Sequence, residues 1–223
     1  TKEGFVDAKT VINFCAQQHP TLLIICNPNN PTGNYNKLAV MEDILKNVEC
    51  PVIMDEAYME FVDPNDKFAT LSTLSLLDTY DNFLCLRTFS KAYGLAGMRV
   101  GYGTGSSTLI KVMQKVLLPY HVNNLSLMVA EMAYQEQDLL RSRVAAAIRE
   151  RRKISQVLLD LGFKVFPSAT NFVMFQPTEE QAFKIVRAAL NMGYKLEGNN
   201  QEMAGTMIFS QLMGEKILVR NFS

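Results

Sequence analysis

Residues 83–102 read FLCLRTFSKAYGLAGMRVGY and combine an apolar run with a loop rich in polar and small residues. The first four residues are apolar without interruption, which predicts a strand buried in the protein interior. Two hydroxyl side chains, Thr88 and Ser90, then precede Lys91, and Arg99 follows eight positions after that lysine. The stretch therefore predicts a buried strand that leads into a loop carrying two hydroxyls and two cations.

This loop has the donors that a phosphate group needs. Hydroxyls, backbone N–H groups and the planar fork of an arginine all donate hydrogen bonds to a dianion. A second cation nearby also favours the neutral, nucleophilic form of a lysine amine. The pattern fits a phosphorylated aldehyde bound to Lys91 as a Schiff base, and it fits equally well a surface loop with one solvated lysine and one solvated arginine.

Two further apolar runs, at 21–26 and 51–54, are also followed by polar loops. Continuous apolar runs are typical of parallel strands buried on both faces. Ligands of such sheets bind beyond the carboxyl ends of the strands. We therefore expect the loops at 27–33, 55–58 and 88–99 to converge at one edge of a sheet.

The remaining pattern indicates an α/β fold, with a mostly parallel sheet, flanking helices and a smaller C-terminal α+β unit. The helix at 138–161 has an apolar stripe and a charged, solvated face, and it would connect two domains at residues 1–137 and 138–223. Further helices are predicted at 7–18, 38–47, 108–118, 124–134 and 178–192, and further strands around 98–101, 163–166, 171–175 and 216–220.

Composition argues against several classes of protein. Lys and Arg together number 22, as do Asp and Glu, so the net charge of zero gives no reason to expect a nucleic acid or an anionic membrane as partner. No apolar stretch is long enough to span a bilayer. Four cysteines without metal-type spacing predict a cytoplasmic protein without disulfides, and two isolated histidines argue against a metal site.

Polar residues near the expected sheet edge have both functional and structural interpretations. Asp55 ends a buried strand, where a carboxylate is costly unless a cation, such as a protonated cofactor ring nitrogen, lies beside it. The structural alternative is that Asp55 caps the next turn. Tyr58 follows three residues later, and Asn30 stands between Asn29 and Pro31. Both side chains could reach a cofactor's phenolic oxygen, yet a core tyrosine and a turn asparagine are the ordinary alternatives.

Three motifs occur together and in order: NPNNPTG at 27–33, DEAY at 55–58, and TFSKAYGLAGMRVGY at 88–102. The set resembles the class I/II aminotransferases, which belong to the fold-type I pyridoxal-phosphate enzymes. Within that family the motifs are most similar to those of the histidinol-phosphate aminotransferases. The likeness extends through nearly the whole chain, and it implies the pyridoxal-phosphate-dependent transferase fold with pyridoxal 5'-phosphate as cofactor.

The resemblance implies catalytic roles for residues around the cofactor ring. Lys91 would be the Schiff-base lysine and proton shuttle, and Asp55 would pair with the pyridinium nitrogen. Asn30 and Tyr58 would hydrogen-bond the ring's phenolic oxygen.

Other roles concern phosphate groups and the substrate. Thr88, Ser90 and Arg99 would hold the cofactor phosphate. Arg220 would meet the substrate's phosphate, and Asn171, which precedes an apolar strand, could face the same cleft or cap the strand. No role implies a metal.

The reaction implied is transfer of an amino group between an amino-acid-like donor, such as histidinol phosphate, and a 2-oxo acid, in a homodimer. The family also has a segment before the first helix with further cofactor contacts, and a carboxylate-binding arginine after the position of Arg220. Neither is in this sequence, so we expect the chain to be the middle and later part of such an enzyme. Two alternatives remain: a decarboxylase of phosphorylated amino acids and an aminotransferase-like sensor domain of a transcription regulator.

Overall fold

A computed structural model describes most of the chain, and beyond residue 191 it describes the course of the backbone alone. The described residues are 4–63, 70–191, 196–199, 206–211 and 217–222.

The first sheet has four strands in the order β1-β2-β3-β4. The strands β1 (Leu23–Cys26), β2 (Val52–Asp55) and β3 (Phe83–Thr88) are parallel, and β4 (Gly101–Gly105) is antiparallel to β3. The parallel strands come from the continuous apolar runs, which confirms the predicted α/β class.

Helices precede, separate and follow these strands. Asp7 caps the first helix by accepting a hydrogen bond from the Thr10 N–H, as its position in the sequence predicts. The helices are α1 (Ala8–Gln18), α2 (Leu38–Asn47), α3 (Ser107–Gln114), α4 (Asn124–Gln135), α5 (Gln137–Asp160) and α6 (Glu179–Asn191), with short 3-10 helices at Met59–Phe61, Thr73–Leu76 and Ala96–Met98. None of the helices in the described part of the chain combines the length and hydropathy that crossing a bilayer requires.

The predicted strand around 98–101 is wrong. A 3-10 helix occupies Ala96–Met98, and the strand runs over Gly101–Gly105 instead. The reason is close backbone approach: a Cβ atom on Gly101 would lie 2.7 Å from the Arg87 carbonyl oxygen. The glycines thus mark the strand itself, because a side chain here would prevent the pairing of β4 with β3. The third helix is also shorter than predicted and ends at Gln114.

A second sheet contains five strands in the order β5-β6-β8-β9-β7. Its strands are β5 (Lys164–Val165), β6 (Phe172–Gln176), β7 (Leu196–Asn199), β8 (Thr206–Gln211) and β9 (Ile217–Phe222). Three of them match predicted strands, whereas β7 and β8 were not predicted. The sequence of β7 is LEGN, whose glycine and asparagine disfavour strands, so pairing with β9 outweighs local preference there.

A hydrophobic cluster joins the carboxyl-end loops of the first sheet to α5 and β6. It contains Tyr58 and Phe61 from the first part of the chain, and Val144, Ile148 and Phe172 from the second. The domain boundary between residues 137 and 138 stays a prediction, and this cluster packs side chains from both sides of it.

A buried ion network ties the ends of β2 and β3 together. Arg87 Nε lies 3.1 Å from Glu56 Oε2, and Arg87 Nη1 lies 3.0 Å from Glu60 Oε1. Burial opposes the charge on Arg87, but the carboxylates of Glu60 and Glu56 outweigh it and raise the pKa of the guanidinium. Burial raises the pKa of Glu60, although Arg87 opposes that shift. Because two carboxylates face one guanidinium, we take Arg87 as charged.

Replacing Arg87 with methionine should destabilise the intact protein by about 3–5 kcal/mol, because it leaves two carboxylates buried without their cation. The urea midpoint of unfolding, followed by circular dichroism, measures the loss. Arg141→Met is the matched control, since it removes a solvent-exposed ion pair with Asp138 that is worth less than about 1 kcal/mol. Equal midpoint shifts in the two variants would show that the buried network does not stabilise the fold.

Candidate active site

The three polar loops begin at the same level of the first sheet. Cys26 of β1 is in register with Asp55 of β2, which is in register with Leu86 of β3. The loops at 27–33, 55–58 and 88–99 therefore leave the sheet at one edge, as the sequence predicts.

Tyr58 brings residues from the three loops together. The side-chain amide of Asn30 donates a 2.9 Å hydrogen bond to the Tyr58 hydroxyl. The Lys91 ammonium nitrogen lies 5.2 Å from the centroid of the Tyr58 ring, within the range of a cation–π contact. Tyr58 itself is 7 % exposed, so its ring is fixed by packing. An amine, an amide and a phenol thus meet at one point.

Asp55 lies at the carboxyl end of β2 with two donors directed at it. The Cys26 thiol donates to Oδ2 at 3.5 Å, and the Ala57 N–H donates to Oδ1 at 3.1 Å. Burial and the Asp55 charge together raise the pKa of Cys26 to about 11, so the thiol stays protonated at neutral pH. A thiol is a weak donor, so Oδ2 keeps the capacity to accept a stronger hydrogen bond from a cation.

The loop after β3 closes on itself through its backbone. The Phe89 N–H donates to the Val100 carbonyl at 3.1 Å, so the residues on either side of this pair lie at the same end of the loop. Thr88 Oγ1 accepts a 3.0 Å hydrogen bond from the Ser90 N–H. Arg99 has a left-handed backbone with φ of 55° and an exposed side chain, which donates to the Ala96 carbonyl. The Thr88 hydroxyl and the Ser90 N–H thus lie together at the start of the loop, and the backbone of Arg99 lies at its end, beside the Phe89–Val100 pair, with its guanidinium bonded to Ala96.

The predicted substrate residues are placed by the second sheet. Asn171 is 9 % exposed and directly precedes Phe172, whose ring packs edge-on against Tyr58 with centroids 5.4 Å apart. The backbone of Arg220 lies in β9, opposite Ile208 of β8, which is in turn opposite Met174 of β6. The Arg220 side chain lies outside the described residues.

Sequence reasoning missed residues that hold the asparagine-rich loop. The side chain of Asn27 forms two hydrogen bonds with the backbone of Asn36. Its amide donates to the Asn36 carbonyl at 2.9 Å, and its oxygen accepts from the Asn36 N–H at 2.8 Å. The Ala169 N–H donates to the Gly33 carbonyl at 2.7 Å, and a Cβ on Gly33 would lie 2.8 Å from Ser168 Oγ. Asn27 opens the motif, and its place there was a signal for its role in holding the loop. The contact with residues 168–169 could not be predicted, because the two segments are far apart in the sequence.

The site offers a defined set of chemical groups. One amine can act as nucleophile and base, one carboxylate can face a cation, and two neutral donors can stabilise an oxygen anion. Among the described residues no group of three or more His, Cys, Asp or Glu side chains could hold a metal ion. The donor set fits a pyridine aldehyde, for which Lys91 is the candidate partner of the aldehyde, Asp55 that of the ring nitrogen, and Asn30 and Tyr58 those of the ring oxygen.

A sequence model described as aminotransferase class I and II matches residues 4–220. The chain is 36% identical over 194 residues to histidinol-phosphate aminotransferase 2 of Carboxydothermus hydrogenoformans, a match that covers 86% of this chain and 52% of that protein. The chain thus spans about half the length of the curated relatives that it matches.

Solved structures of related enzymes share the fold of this chain. Histidinol-phosphate aminotransferase from Sinorhizobium meliloti, in complex with pyridoxal-5'-phosphate, superposes with a TM-score of 0.74 at 26% identity, over 83% of this chain and 50% of that one. A decarboxylase from Sulfurospirillum multivorans superposes with a TM-score of 0.72 at 27% identity, over 86% of this chain and 56% of that one.

Proposed function

Since the chain belongs to the aminotransferase class I and II family, we propose that it carries the catalytic lysine and half of the cofactor site of a pyridoxal-phosphate-dependent aminotransferase. The observation that carries the proposal is the meeting of Asn30, Tyr58 and Lys91 at the carboxyl edge of the parallel sheet. The match to relatives supports the same reaction class.

These residues would bind different parts of the cofactor. Lys91 would bind the aldehyde, Asp55 would keep the ring nitrogen protonated, and Asn30 and Tyr58 would donate hydrogen bonds to the ring oxygen. When bound, pyridoxal phosphate supplies an electron sink that stabilises negative charge on the substrate carbon. Three residues of the loop after β3 would hold the phosphate group: Thr88, Ser90 and Arg99.

Lys91 would also transfer the proton that leaves the donor's carbon during the reaction. With its amine free, Lys91 would take the proton from the donor's carbon as a general base. The same nitrogen, once protonated, would act as the general acid that returns this proton. The Tyr58 ring, 5.2 Å from Nζ, and the cluster beneath it limit where the amine can move.

For the substrate, we propose an amino-acid-like donor with a phosphate group, of the histidinol phosphate type, and a 2-oxo acid acceptor. The names of the relatives support this choice. Arg220 would bind the donor's phosphate through its planar fork, and Asn171 would face the donor beside Phe172. Decarboxylation of a phosphorylated amino acid is the second candidate, which the likeness to the Sulfurospirillum decarboxylase favours.

Product analysis of the intact protein with added pyridoxal phosphate separates the two. With histidinol phosphate and 2-oxoglutarate we expect glutamate to form in a one-to-one ratio with the oxidised donor, measured by mass spectrometry. With phosphothreonine as substrate we expect no carbon dioxide. Release of carbon dioxide without glutamate would show that the protein is a decarboxylase and not a transferase. Binding of the cofactor without either product would agree with the family but contradict both proposed reactions.

We also propose a homodimer and a cytoplasmic location. The region around α3 and α4 exposes large apolar side chains, with Val116 and Leu118 at 74 % and Tyr120 at 98 % exposure. A surface of this kind fits a second copy of the same chain, because homodimer interfaces are more apolar than other surfaces. The four cysteines are free thiols, which fits a reducing compartment.

A further inference from the structure

The buried face of α5 carries a charged side chain. Leu140, Val144, Ile148 and Leu158 are buried along this face, and Arg151 continues their stripe one turn after Ile148. Its Nη1 donates to the Phe61 carbonyl at 3.0 Å and to the Thr170 carbonyl at 2.6 Å. These two acceptors lie 90 and 19 residues away in the sequence.

The Arg151 guanidinium is partly buried, and no opposite charge among the described residues compensates for its lost contact with water. In the described part of the chain Arg151 forms no ion pair, and burial, with Arg152 adding to it, lowers its pKa to about 10. A charge taken partly out of water without an opposite charge beside it contributes little to stability, because nothing offsets the cost of its desolvation. A role in geometry therefore explains Arg151 better than a role in stability.

Both carbonyls belong to segments that hold Tyr58. Phe61 ends the 3-10 helix that begins after Tyr58, and its own N–H donates to the Tyr58 carbonyl at 3.0 Å. Thr170 Oγ1 accepts from the Phe172 N–H at 3.3 Å, and the Phe172 ring packs edge-on against Tyr58. Arg151 thus fixes the backbone on one side of Tyr58 and its ring partner on the other.

The segment around Thr170 also reaches the asparagine-rich loop. Ala169 donates to the Gly33 carbonyl, and the Ser168 hydroxyl donates to the Phe172 carbonyl at 2.6 Å. This turn therefore links the loop that carries Asn30 to the ring that supports Tyr58. A shift of Thr170 would be transmitted to both donors of the Asn30–Tyr58 pair.

We propose that Arg151 is a positioning residue, which holds the carbonyls of Phe61 and Thr170 so that Asn30 and Tyr58 keep their places toward the cofactor's ring oxygen. The inference rests on the proposed function. It assigns Arg151 no contact with substrate or cofactor.

The test compares Arg151→Met with Arg152→Met in the intact protein, because Arg152 is the adjacent, exposed arginine. Hydrogen exchange of the cofactor-free protein is measured first. We expect exchange to rise about tenfold in the segments at 59–62 and 168–172 of Arg151→Met, and to stay unchanged in Arg152→Met. If Arg151→Met fails to fold, Arg151→Lys is measured instead. We expect a smaller rise in exchange in that variant, because lysine keeps the charge but lacks the planar fork of donors.

The second readout is the pH dependence of the visible absorbance of bound pyridoxal phosphate. Hydrogen-bond donors to a charged oxygen favour its deprotonated form, so displacing Asn30 and Tyr58 should make deprotonation harder. We expect the midpoint of the absorbance change to rise by about 0.5–1 pH unit in Arg151→Met and by less in Arg151→Lys. Unchanged exchange in the two segments or an unchanged midpoint would overturn the inference. A parent protein that binds no pyridoxal phosphate would instead refute the proposed function.

Discussion

Replacing Lys91 with alanine should lower the transamination rate of the intact protein by about 10⁴-fold or more, because one nitrogen serves both as nucleophile and as general base. The visible absorbance of the covalently held cofactor should disappear at the same time. Steady-state kinetics and an absorption spectrum of the purified variant measure the two effects.

Lys46→Ala is the control for this variant, since Lys46 is exposed on α2, away from the carboxyl edge of the sheet. Its rate and spectrum should match those of the parent protein. A Lys91→Ala variant that kept the parent spectrum would assign the covalent role to another lysine.

Replacing Asp55 with alanine should lower turnover by about 10³-fold while the cofactor still becomes linked to Lys91. An ion pair in contact at an effective dielectric near 20 is worth about 4 kcal/mol, which corresponds to three powers of ten in rate when the charge acts in the transition state. Single-turnover kinetics measures the slowed step, and reduction with borohydride measures the retained link.

A second variant, Asp55→Asn, keeps the size of the side chain and removes its charge. Its control is Asp43→Asn, which makes the same change on the exposed surface of α2. Both Asp55 variants should be slow, and Asp43→Asn should not be. Rates within a factor of a few of the parent in Asp55→Asn would remove Asp55 as the partner of the ring nitrogen.

The parallel strands and their loops could be predicted from the sequence because both signals are local. Continuous apolar runs define β1, β2 and β3, and the residues that follow them carry the chemistry. The meeting of Asn30 and Tyr58 follows from one further rule, that the carboxyl ends of parallel strands share an edge. These features need no knowledge of distant contacts.

Features that depend on distant contacts were not predictable in this way. The glycines of β4 permit close approach to Arg87, which becomes visible only once the two strands are paired. Glu56 and Arg87 stand at the ends of neighbouring strands, yet their ion pair depends on the register of β2 with β3. Arg151 follows the apolar stripe of α5 by one turn, but its acceptors come from two other segments.

The central claim, that Lys91 holds the cofactor, is tested most directly by trapping. The intact protein is loaded with pyridoxal phosphate, reduced with borohydride, digested with trypsin and sequenced by mass spectrometry. Because trypsin does not cleave after a modified lysine, we predict one labelled peptide spanning residues 88–99, TFSKAYGLAGMR, with the label on Lys91. A label on any other lysine, or an unlabelled protein that still absorbs as a pyridoxal-phosphate enzyme, would contradict the account.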